Sequence, residues 1–229
     1  LEMLFNFQTL VPELPGFGES DPLAQPSFET ASQALTAMLD GLGIAKADML
    51  ALGFATPLGA AFAARHPARV RRVVLDGCFA LADDEAVAFT AQLCPEQAFD
   101  GSGAHLHRIW HMLRDGAANW PWFANDAKAG RAIAATLDAQ ALHRDVVGLL
   151  KQPRSYGDIA RMGCLCGQAE RYPVFPQPAL VFTQPDDPGY RAAETVAANL
   201  PDARLIERPA GTETAADAIR TFLSVAHPR

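Results

Sequence analysis

Apolar and polar positions along this chain follow two rhythms. Short runs dense in Leu, Val, Ile and Phe predict buried strands at residues 9–14, 48–52, 70–75, 179–183 and 203–208. Between them, apolar positions recur at helical spacing and predict helices at 28–42, 56–64, 191–199 and 215–226. The first helix carries Ser27 as its N-cap and Glu29 in its first turn, with Ala31, Leu35, Met38, Leu39 and Leu42 on one stripe and Gly43 at its end. Strands that alternate with helices and are apolar on both faces predict an α/β fold, a mostly parallel central sheet with helices on both sides. From Phe79 to Pro176 the strand rhythm stops, and several helices joined by Gly, Pro and Asn are expected instead. No segment repeats at a fixed period.

Composition narrows the function classes. A chain of 229 residues, 49% apolar, is large enough for one sizeable core. A net charge of −7 and a pI near 5.3 leave no basic face for nucleic acid or a membrane surface, so neither is expected as a partner. No apolar run approaches the roughly 18 residues of a membrane span, and no signal pattern opens the chain, so a cytoplasmic location is expected. Cys78, Cys94, Cys164 and Cys166 are too few and scattered for a disulfide framework and are read as free thiols. Neither Cys164-Leu165-Cys166 nor the His107 and His111 pair has further ligands at metal-binding spacing, so no metal or other cofactor is predicted.

Three motifs point to a known family. Pro15-Gly16-Phe17-Gly18-Glu19-Ser20-Asp21 forms a tight turn after the first predicted strand. Ala63-Ala64-Arg65-His66-Pro67 leads into the run ending at Asp76-Gly77, and Leu180 to Thr183 precedes the acidic turn Asp186-Asp187-Pro188. Together they resemble the α/β-hydrolase superfamily. The resemblance implies a core of residues 1–78 and 177–229, a helical cap at 79–176, and a Ser, acid, His triad with its serine on a sharp strand-to-helix elbow.

Two of those three side chains are absent. The elbow aligns with Ala51-Leu52-Gly53-Phe54-Ala55, which places Gly53 at the nucleophile position. Glycine adopts the elbow's unusual backbone angles without strain. The histidine position falls on Thr212 or Glu213, and no histidine lies between His143 and His227. Asp187 stands where the resemblance puts the acid, although the same residue also suits a plain polar turn before Pro188. Thr56, one turn beyond the elbow and followed by Pro57, reads as a helix cap, and a threonine nucleophile is the alternative.

The inserted segment has its own candidate chemistry. His107, Trp110, His111 and Arg114 share a helix face by spacing, and Trp120-Pro121-Trp122-Phe123 follows. With Phe54 after the elbow, His107, Trp110, His111, Arg114 and Trp122 are candidate residues for binding an anionic or aromatic small molecule between core and cap. A solvated outer face is the competing reading of the same helix. The expected function is a hydrolase-like protein that binds a small organic ligand without serine catalysis, with self-association as a homodimer left open. The alternatives are a mechanism of altered chemistry, with His107 or His111 as base, and an ordinary hydrolase whose triad lies elsewhere.

The start of the chain raises a topological problem. In the family's strand order, 1-2-4-3-5-6-7-8, another strand separates residues 9–14 from the elbow strand, and residues 1–7 match the end of the family's first helix better than they match that strand. A sheet lacking it would strand backbone groups at about 1 to 3 kcal/mol each. A further N-terminal portion of roughly 35 to 50 residues is therefore expected. The alternative is that residues 1–7 pair unconventionally, which would make residues 9–14 and 48–52 direct neighbours.

Overall fold

The computed structural model describes residues 7–124 and 138–224. Helix α1, Phe28–Gly41, opens on a reciprocal cap in which Ser27 Oγ accepts the Thr30 N–H and Thr30 Oγ1 accepts the Ser27 N–H. It closes as Gly43 turns to a φ of 69°. Strand β1, Ala47–Leu52, leads through a 3₁₀ turn at Gly53–Ala55 into α2, Thr56–Arg65, and then β2, Val70–Asp76. Among the described residues, five helices follow before the sheet resumes: α3, Ala86–Leu93; α4, Ala104–Gly116; α5, Ala139–Lys151; α6, Asp158–Leu165; and α7, Gln168–Arg171. Strand β3, Ala179–Thr183, helix α8, Ala193–Asn199, strand β4, Ala203–Glu207, and helix α9, Thr212–Ser224, complete the described chain.

The four strands pair in parallel in the order β1-β2-β3-β4. Alternation along β2 and β3 divides the core. Val73, Leu75, Ala179 and Val181 pack with Phe62 of α2, Val196 of α8 and Leu39 of α1. Val74, Leu180 and Phe182 pack with Ala216 and Ile219 of α9 on the other face. Because both faces are covered, the central strands read as continuous apolar runs, as expected from the sequence. Helix α2 lies close enough to β1 that a Cβ at Gly59 would sit 2.6 Å from the Cβ of Ala51.

The helices between β2 and β3 have a core of their own, built on Phe79, Ile109, Met112, Leu149, Tyr156 and Cys164. Arg171, 2% exposed, ties this region together. Its guanidinium donates to the carbonyls of Gly163, Leu81, Cys164 and Cys166 and lies over the Phe79 ring. Such a fan of charge-assisted bonds satisfies a buried cation without a carboxylate.

One expected strand is not formed. Residues 9–14 are irregular, with Leu10 46% and Val11 63% exposed, and β1 has only β2 beside it among the described strands. Direct pairing of 9–14 with β1 is therefore absent too. The apolar pattern of this segment finds no partner strand among the described residues, and a strand needs one to satisfy its N–H and C=O groups. The chain instead folds back from Leu14, which packs with Phe17 against Leu58 and Ile159. Ser20 Oγ donates to the Glu13 carbonyl, and Ser155 Oγ donates to the carbonyl of Gly16.

Candidate functional site

The carboxyl ends of parallel strands are where an open α/β sheet offers its crevice. Here that crevice is a cavity of about 530 Å³. Gly53 after β1, Asp76 and Gly77 at the end of β2, Asp187 after β3 and Arg208 after β4 form its floor, and Phe79 and Trp120 form apolar wall.

Gly53 takes a φ of 51°, the left-handed region in which a side chain is strained. A Cβ there would meet no heavy atom within 4 Å, so conformation rather than crowding favours glycine. Gly77 differs, since a Cβ on it would come within 3.2 Å of the Gly53 backbone. The turn is held from behind by Thr56, which is wholly buried. Its Oγ1 donates to the Gly53 carbonyl at 2.7 Å and shares a 3.1 Å bond with the Tyr172 hydroxyl. Thr56 is thus the first helical residue, with Ala55 as N-cap, and the expectation of a threonine cap is corrected. Its hydroxyl bonds backward to the turn because helical φ and ψ put it there, and that buried, committed geometry leaves no approach for a substrate carbonyl. Cys78 beside it is equally enclosed. Burial, and then the Asp76 charge, push its thiol up to about 12, so it stays protonated at neutral pH.

Phe54 continues the elbow into the helical region. Its ring lies 4.9 Å from Trp120 and 5.5 Å from Phe79, in contacts that join the two cores. Asp187 is 4% exposed and faces the cavity, and its Oδ1 also accepts the Gly189 N–H at 2.8 Å. The turn bond is the one expected of a polar turn residue before Pro188. Glu213 is exposed in the first turn of α9, which starts earlier than expected because Gly211, at a φ of 88°, ends the preceding loop. Thr212, not Glu213, touches the cavity.

The helical candidates are placed elsewhere. Helix α4 buries Ile109 and Met112, while His107, Trp110 and His111 lie on its exposed side. Arg114 pairs with the neighbouring Asp115, and Trp122 donates its Nε1–H to the Leu93 carbonyl. None of these five lines the cavity. No described histidine does either, and no described group of three His, Cys, Asp or Glu converges as a metal site.

Sequence reading missed the charged centre of the crevice. Asp76 Oδ1 accepts from the Tyr190 hydroxyl at 2.6 Å, and Arg208 Nε reaches both oxygens at 3.2 and 3.0 Å. Burial and the Asp76 bond push the Tyr190 phenol well above its ordinary range. The available signal was an acid and a base each ending an apolar run, at positions where the strands' carboxyl ends converge.

Comparison with known proteins adds context to this geometry. Residues 3–188 match a family described as alpha/beta hydrolase fold. A curated relative, 2-hydroxymuconate semialdehyde hydrolase of Pseudomonas putida, is 38% identical over 108 residues, 46% of this chain and 37% of that protein. The chain thus spans little more than a third of that relative's length. Among solved structures, a hydrolase from Pseudomonas aeruginosa PA01 superposes with a TM-score of 0.59 at 20% identity, over 93% of this chain and 78% of that one. The epoxide hydrolase VrEH1 from Vigna radiata gives 0.64 at 12% identity, over 92% and 79%. At these identities the likeness is one of fold. No helix among the described residues is long and apolar enough to cross a membrane.

Proposed function

This chain belongs to the alpha/beta hydrolase fold family, and on that premise we propose that it binds a small organic ligand in the cavity at the strand ends without covalent serine catalysis. Gly53 carries the reading. It occupies the turn where the fold presents a nucleophile, in the backbone conformation such a turn uses, with no side chain to attack. A serine nucleophile also needs a base within hydrogen-bond reach, and the cavity is lined by Thr212 where a histidine would stand. In this reading two parts of one reaction are missing, and Asp187 remains as a turn residue.

The volume of about 530 Å³ suits a small molecule. A compound in the size class of the semialdehyde named for the curated relative would fit against Phe79 and Trp120. In this reading the helices between β2 and β3 act as a cap, and Phe54 fixes them to the elbow. Activated short-chain esters and a fluorophosphonate probe test it. The expected result is ester cleavage no faster than in buffer and no phosphonyl adduct. Turnover with an adduct on any residue would overturn it.

A further inference from the structure

We infer that Arg208 is the ligand-recognition residue of the cavity, and that it selects a monocarboxylate carried on an apolar or aromatic body. The inference rests on the proposed ligand-binding reading and names the chemistry of the ligand. Arg208 ends β4 and lines the cavity with its side chain 21% exposed. All of its bonding to Asp76 runs through Nε, which faces both carboxylate oxygens. The two terminal Nη groups have no acceptor among the described residues. A guanidinium held along one edge presents its other donors as a planar fork, and a carboxylate is the group that matches such a fork bidentately.

Positioning is built in. Asp76 is 8% exposed, and the Tyr190 hydroxyl fixes its Oδ1. The guanidinium is thus anchored before any ligand arrives, which lowers the ordering cost of binding. Electrostatics limit the ligand's charge. Asp76 faces the same cavity and already balances the charge of Arg208. An anion is therefore held by direct contact with the fork and not by a general positive field. A second carboxylate on the ligand would lie near Asp76, with the guanidinium that lines the cavity already engaged by the first. Phe79 and Trp120 supply apolar surface for the rest of the molecule.

Calorimetric titration with benzoate, its neutral counterpart benzamide, and the dianion phthalate tests this. Benzoate is expected to bind at least about tenfold more tightly than benzamide, as charge-assisted bonds warrant, and to compete with it. Phthalate is expected to bind more weakly than benzoate. The double variant Arg208→Gln with Asp76→Asn removes the fork without leaving a buried unpaired carboxylate. It should abolish the preference for benzoate and leave benzamide binding unchanged. Should that variant fail to fold, Arg208→Lys keeps the charge pair but not the fork, and is expected to weaken benzoate alone. Equal binding of benzoate and benzamide to the native protein, a benzoate preference that survives in the double variant, or benzoate affinity undiminished in Arg208→Lys, would overturn the role of Arg208 while the ligand-binding reading stands. Binding of neither compound would overturn both.

Discussion

Gly53 illustrates how a single residue can combine local structure with chemistry. Its φ of 51° would cost a substituted side chain about 1 to 2 kcal/mol, yet the space around it is open. Gly53→Ser is therefore expected to fold, with an unfolding free energy lower by about 1 to 2 kcal/mol in urea titration. It is also expected to remain without esterase turnover, because Thr212 offers no base to take the serine proton. Rapid ester cleavage by this variant would show that a base does reach the elbow. The glycine was legible in the sequence because flanking elements fixed its place. Asp76 and Arg208 were not, since they lie 132 positions apart and only the pairing of β2, β3 and β4 brings them together.

Elements were legible where both partners of a contact were implied by the same pattern. The central strands and α1 carry their burial and caps within their own residues, so β2, β3 and Ser27 could be placed in advance. Residues 9–14 show the limit. Their apolar rhythm states what the segment would do beside another strand, and no described strand lies there. Helix α4 shows a second limit, because a face rich in His and Trp and a face of Ile109 and Met112 are both compatible with helical spacing. Only the packing against Leu149 and Tyr156 decides which one turns inward. The contact of α2 on β1 gives a prediction at this scale. Gly59→Ala would force a Cβ to within 2.6 Å of Ala51 and is expected to destabilise the fold by about 1 to 3 kcal/mol. A denaturant midpoint equal to that of the native chain would contradict the close approach.

At the scale of the whole molecule, Phe54, packed on Phe79 and Trp120, and Tyr172, hydrogen-bonded to Thr56, join the helical region to the elbow. Several of the groups packed there ionise only with difficulty. Burial pushes the thiols of Cys78 and Cys164 and the Tyr156 phenol up to about 12, from ordinary values of 9.0 for the thiols and 10.0 for the phenol. The folded state holds these protons to higher pH than the unfolded chain does. Their contribution is complete below about pH 9 and is lost as pH rises toward 12. Urea midpoints should fall steadily between those limits, with a shallower slope in Cys78→Ala, and a flat profile would contradict the burial of these groups.

The proposed reading makes one central claim, that this site does not form an acyl or phosphonyl enzyme. Intact-mass spectrometry of the native protein after prolonged exposure to a fluorophosphonate addresses it most directly. The account predicts an unchanged mass. A stoichiometric adduct of one phosphonyl group would contradict it, and the modified residue would identify the nucleophile.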